Sequence, residues 1–177
     1  VKNMQVYLPI LRTEDKKMLL KWYGRDYELI LSYDFIKLGG NSTSFHSKCD
    51  GKVQTITLIE TDTCRQFGRY LKLSWDSVED FKGGDKTAFI FSLDNQVMLP
   101  FNNVDNVIYC SSKSGPKFGS HDITISDEFT KNYNSYSCLL NSYGDKESYA
   151  GISTTTFMAG IEFFKVNRLE VYQVIFK

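Results

Sequence analysis

Apolar and polar positions fall into short blocks along the chain, and most of the blocks have the spacing of strands. The clearest exception comes early. Met18, Leu19, Trp22 and Tyr23 recur at helical spacing after Thr13-Glu14-Asp15, which offers an N-cap hydroxyl and acids suited to a helix start. Gly24 is a natural stop, so the pattern predicts one amphipathic helix. Upstream of it, Val6, Leu8, Ile10 and Leu11 around Pro9 form an extended apolar segment expected to dock on the body. We therefore divide the chain into an extension with the helix start over 1–18 and a domain over 19–177.

Tyr27–Tyr33 reads as a strand, and Gly39–Ser44 as a polar loop in which Ser42 or Ser44 caps a short helix carrying Phe45, His46 and Cys49. Asp50-Gly51 marks a tight turn before the β-branched run Val53–Glu60. Thr61-Asp62-Thr63 turns the chain into a second strand over Cys64–Ser74, where Gly68 signals a bulge or a close backbone approach. Asp76–Asp85 reads as a polar loop. Thr87–Leu93 is apolar on both faces, the mark of a central covered strand, whereas Pro100 places Val97–Phe101 at an edge or a strand end. Val104–Cys110 is another strand, Ser111–Ser120 a loop, and Asp122–Ser126 an alternating strand expected to be half-exposed. Residues 127–160, rich in Ser, Thr, Asn, Tyr and Gly, show no divisible pattern, and Arg168–Phe176 closes the chain as a long strand. The fold class that follows is α+β, mostly β: a two-sheet antiparallel β-sandwich with a few short flanking helices.

Composition narrows the function classes. A chain of 177 residues, 42% hydrophobic and without a repeat or a low-complexity tract, reads as one domain able to build its core without disulfides or metal. Lys and Arg total 21 against 21 Asp and Glu, and this balance argues against a general nucleic-acid binder, whose affinity needs excess cations. No apolar run is long enough for a membrane span, and no signal-peptide pattern is present. Because the first residue is Val, the chain reads as a processed or excised piece. Cys49, Cys64, Cys110 and Cys138 are irregularly spaced, with no C-x-x-C, which suits reduced thiols in a cytoplasmic or nuclear protein.

Candidate chemistry is sparse. His46-x-x-Cys49 has the spacing of half a zinc site, but no second pair completes it, and the simpler reading is a hydrogen-bonded His beside a small apolar Cys. Cys110 and His121 flank the 111–120 loop and would meet if the adjoining strands pair; an imidazolium there would favour the thiolate, as in a redox enzyme or sensor. The competing reading is an inert Cys110 at the end of a buried strand. Gly115–Gly119, with Lys113 and Lys117, could cradle an anion, but it lacks the Walker pattern and a following helix, and the simpler reading is a turn with Phe118 plugging the core. Arg65, Arg69, Lys72, Lys82 and Lys86 are interleaved with Tyr70, Trp75 and Phe81, a pattern that on one face could stack bases, although with a net charge of zero the simpler reading is a solvated sandwich face. No carboxylate pair or G-x-S-x-G motif suggests acid/base or serine chemistry.

Taken in order, FHSKCDGKVQTITLIE, Gln66-Phe67-Gly68 with Ser74-Trp75, TAFIFSL, GPKFG with HDITISD, SYAG and RLEVYQV resemble a TLDc domain, most closely the compact protist type, from about Leu19 to Val174. The positions that carry the resemblance are His46, Lys48, Cys49, Asp50, Gly51, Phe67, Gly68, Trp75, Gly115, Pro116, Phe118, Gly119, Asp122, Gly151 and Glu170. The resemblance implies the sandwich, no cofactor, no established catalytic mechanism, a role in protection against oxidative stress, and a protein partner, the vacuolar proton-pumping ATPase (V-ATPase). Two departures stand out: Arg69 replaces a second Gly after Phe67-Gly68, and Ser153–Ile161 is drawn out. The expected function is a non-catalytic interaction module, with a DNA-binding regulator of stress genes and a thiol-dependent enzyme or sensor using Cys110 and His121 as rivals.

Overall fold

In the computed structural model, which describes residues 9–35, 40–101, 107–139, 143 and 153–177, fourteen elements follow one another: α1 Thr13–Tyr23, β1 Tyr27–Asp34, α2 Ser42–Cys49, β2 Thr55–Thr61, β3 Gln66–Leu71, β4 Asp80–Lys82, β5 Phe89–Ser92, β6 Val97–Pro100, β7 Ile108–Cys110, β8 Lys117–Phe118, β9 Ile123–Thr124, β10 Ser135–Ser137, β11 Phe163–Phe164 and β12 Val166–Phe176. Two six-stranded antiparallel sheets are ordered β1-β12-β2-β3-β5-β6 and β11-β10-β9-β8-β7-β4. The sandwich expected from the pattern is therefore present, with a third layer added. Ile10, Leu11 and α1 cover the outer face of the first sheet, where Leu19 packs with Ile56, Leu58, Phe89, Phe91 and Val174. Burying Leu19 alone contributes about 2 kcal/mol. Between the sheets, Ile59, Phe67, Ile90 and Leu169 meet Phe118, Ile123 and Phe164. Covered on both faces, β2 and β5 are buried at consecutive positions rather than alternate ones.

Local signals shape the elements, with some displacements from expectation. Helix α1 ends at Gly24, whose φ of 70° suits a residue without a Cβ. It starts one residue earlier than the Thr13 cap predicts: Arg12 is the N-cap, and the buried Asp15 carboxylate accepts its N–H at 2.9 Å and its Nε–H at 3.2 Å. Helix α2 is capped by neither Ser42 nor Ser44 but by Asn41, whose side chain accepts the Ser44 N–H at 2.8 Å. The 76–85 and 111–120 loops contain β4 and β8, which exist because β7 pairs with both of them. The 122–126 strand is buried instead of half-exposed: β9 lies inside its sheet between β8 and β10, and Asp122 spends its polarity on the Tyr143 N–H. β5 is covered as expected, but it lies beside the edge strand β6, where Pro100 can omit a ladder bond. Gly151 and the first residues of the predicted 104–110 strand lie outside the described residues.

Candidate functional site

The motif residues of α2, the Asp50-Gly51 turn, Trp75 and the 115–119 stretch converge on one corner of the sandwich, built where α2 ends. Helix α2 presents Phe45, His46 and Cys49 inward and leaves Lys48 in solvent. At Asp50-Gly51, where Gly51 takes a φ of 79°, the chain turns so that the Gly51 N–H donates to the Trp75 carbonyl at 2.9 Å. Trp75, 1% exposed, wedges its ring between Phe45 at 5.3 Å and Phe118 at 5.9 Å. Around this aromatic stack runs a polar chain. His46 Nδ1 meets Asp50 Oδ1 at 2.7 Å and His46 Nε2 meets the Ser114 carbonyl at 3.0 Å, while Asp50 Oδ2 accepts the Ser77 hydroxyl at 2.7 Å. Both ring nitrogens of the imidazole are thus engaged.

The Gly115–Gly119 stretch completes the corner from the other sheet. A Cβ on Gly115 would lie 3.1 Å from Ile125 Cγ2, and the Ile125 N–H donates to the Pro116 carbonyl at 3.0 Å. Phe118 is fully buried, and Gly119 takes a φ of 64° as its N–H bonds to the Val107 carbonyl. Lys117 lies over the Tyr109 ring at 5.0 Å, on the outer side. These backbone groups are occupied by the core, which favours the turn reading over an anion cradle.

The remaining predicted residues are spread through the fold. With both His46 nitrogens engaged and Cys49 fully buried, its thiol pushed well up by that burial, the pair is arranged as packing and not as ligation. Among the described residues, no group of three or more His, Cys, Asp or Glu could hold a metal. The strands on either side of the 111–120 loop, β7 and β9, do not pair with each other: β8, within the loop, lies between them and separates Cys110 from His121. Ile108 faces Phe118 and Tyr109 faces Lys117, so Cys110 lies at the loop end of the hairpin and His121 beyond the other end. His121 is exposed and meets the Tyr136 hydroxyl at 3.3 Å. Cys110 is fully buried, and burial pushes its thiol up to about 11, with Asp76 and Lys82 as its charged neighbours.

Of the interleaved cations, Lys72, Lys82 and Lys86 line one groove, but Arg65, Arg69 and the interleaved aromatics do not share it. Tyr70 packs under α1, Trp75 packs between the sheets, and Lys82 donates to Asp76 at 2.8 Å and to the Ser74 carbonyl at 2.7 Å. Arg69 is 1% exposed, its guanidinium over the Phe118 ring at 4.9 Å and the Tyr143 ring at 5.6 Å. None of its nitrogens meets hydrogen-bond geometry with a described residue, and burial lowers its pKa against the opposing pull of Tyr143 and Asp85. Sequence reasoning marked Arg69 as a departure but missed that it is a core cation. Its alternation with Phe67 and Leu71, both core residues, was the available signal.

Elsewhere, Phe67 meets Phe164 edge-on at 5.7 Å. Gly68 lets β3 lie against β2, since a Cβ there would collide with the Thr57 carbonyl oxygen and reach within 2.8 Å of the Phe91 ring. Glu170, 2% exposed, accepts the Ile10 N–H at 2.7 Å and the Tyr172 hydroxyl at 2.8 Å, and so ties the incoming chain to β12. No helix among the described residues is long and apolar enough to cross a membrane. In comparisons with known proteins, a sequence model of one family, described as the TLDc domain, matches residues 10–175. No curated protein matches the chain.

Proposed function

The chain belongs to the TLDc domain family, and from that premise we propose that it is a non-catalytic interaction module of the oxidative-stress response, working in the cytoplasm with the V-ATPase as its partner. The family is linked in general to oxidative stress. The observation that favours binding over catalysis is how the motif residues are used: His46 holds Asp50 and Ser114, and Cys49, Trp75 and Phe118 fill the core. These groups maintain the shape of a surface rather than present reactive atoms to it.

A direct binding measurement between the purified chain and purified V-ATPase, by interferometry with and without prior peroxide treatment, tests the partner. Saturable binding supports the proposal, and its absence in both states refutes it. Peroxide consumption by the chain and by Cys110→Ala tests the rival enzyme. A turnover abolished by that substitution would favour the thiol reading despite the buried position of Cys110. Mobility shift across a salt series addresses the DNA-binding rival, which needs a sequence preference that survives physiological salt.

A further inference from the structure

We propose that β1 is a self-pairing edge: its outer side takes β1 of a second copy of this chain, antiparallel and centred on Ile30, to form a twofold dimer with a continuous sheet. Edge strands carry unpaired backbone donors and acceptors, and proteins usually blunt them with shortness, Pro or charge. Among the described residues, three of the four edges are blunted in that way. β6 has four residues and ends in Pro100, β11 has two residues, and β4 has three, with Asp80 and Lys82 among them. β1 has eight residues, YELILSYD, without Pro, Lys or Arg. Its inner side pairs with β12 from Tyr27↔Phe176 to Asp34↔Glu170. No backbone hydrogen bond among the described residues reaches its outer side over 28–32.

The side chains at that stretch are equally open. Ile30 is 54% exposed and Leu31 43%. Neighbouring strand residues point to opposite faces, so the centre of β1 is uncovered above and below. On the α1 side a groove of about 650 Å³ lies beside the first part of the strand, Tyr27 to Leu29, with Leu11, Leu20 and Tyr172 as well as Lys16, Lys17 and Lys177 in its lining. On the other side Ile175, 41% exposed and in the neighbouring strand, extends the apolar area around Ile30.

The occupant follows from self-complementarity. A twofold axis through Ile30, normal to the sheet, sets Ile30 against its own copy on one face. On the α1 face it sets Leu29 against Leu31 of the second copy. Glu28 then faces Ser32, so no like charges oppose, and Glu28 already holds Lys177 at 2.7 Å. Aliphatic cross-strand pairs on both faces, repeated by symmetry, are the isologous arrangement of homodimers. The register break between Leu31 and Tyr33 ends the pairing where the strand becomes buried.

Sedimentation velocity of the full chain over about a hundredfold concentration range tests this, because a dimer populates by mass action. The expected result is a shift from monomer to dimer mass, with amide exchange at 28–32 slowing as the dimer fills. Ile30→Lys should weaken the dimer at least about tenfold, since it places a charge on the edge, and should leave the thermal midpoint unchanged at concentrations where both proteins are monomeric. Ile161→Lys, at a site 45% exposed and away from β1, should leave the dimer unchanged. A monomer at every concentration overturns the proposal, as does a dimer whose 28–32 amides exchange at the monomer rate.

Discussion

Gly68→Ala is the most demanding test of how the two sheets are built. Gly68 faces Leu58 across the β2–β3 ladder, in the interior of the first sheet. One added methyl group would meet the Thr57 carbonyl oxygen, a backbone atom of β2, and the Phe91 ring at 2.8 Å. Neither can retreat freely, because β2 is held by β12 on its other side and Phe91 packs beneath Trp22 at 5.6 Å. Overpacking of this kind costs about 1–3 kcal/mol, and each ladder bond that the strands loosen adds about 1 kcal/mol. A total near 3 kcal/mol, with a urea slope of about 2 kcal/mol/M, lowers the urea midpoint by roughly 1.5 M. Gly24→Ala is the control: its φ is 70°, but nothing lies within 4 Å of the added Cβ. It should cost only the left-handed penalty of about 1 kcal/mol. If Gly68→Ala unfolds within about 0.5 kcal/mol of the parent, the close approach of β3 to β2 is not what this glycine provides.

Three further outcomes follow from the same geometry. A small alkylating reagent at neutral pH should modify the exposed Cys64 first and reach Cys110 and Cys49 only on unfolding; equal native rates for Cys64 and Cys110 would refute this order. Burial pushes Tyr33 and Tyr70 up to about 12 and Cys110 up to about 11. The unfolded chain therefore loses these protons first, and stability should fall as pH rises from about 9 towards 12. Thermal midpoints recorded against pH would show the decline, and a flat profile through that window would contradict it. His46→Gln should cost about 1–3 kcal/mol, because one amide nitrogen cannot reach both the buried Ser114 carbonyl and the half-buried Asp50 carboxylate. In a double-mutant cycle with Asp50→Asn the two costs should be non-additive, because one hydrogen bond is counted in both; full additivity would mean that the contact carries no energy.

Elements that announce themselves locally were legible in the sequence. Helix α1 has its period and its Gly24 stop, β12 is a long β-branched run, and Gly68 marked the close approach that the strands show. What was not legible depends on partners far along the chain. β4 and β8 have three and two residues, and they are strands only because β7 lies between them. The apposition of Cys110 and His121 failed on topology: β8, a strand of two residues, intervenes between the strands that flank the loop, and nothing in the loop's composition announces it. Arg69 shows the same limit. Its type suggests the surface, while its place between Phe67 and Leu71 on an inward-facing strand assigns it to the core. The corner around His46 was readable as a helix end and a turn, yet its closure by Ser77 and Ser114, 31 and 68 residues away, was not.

The position of β12 has a kinetic consequence. The last strand of the domain is inserted between β1, the first strand, and β2. During synthesis β1 has no sheet neighbour and β2 is a bare edge until the final segment emerges, so the first sheet closes only after translation has passed residue 166. Sequence separations of that size put the domain among slow folders. Nascent chains halted before β12 should therefore be protease-sensitive along β1, a window in which a chaperone or a neighbouring ribosome's product can reach the same strand.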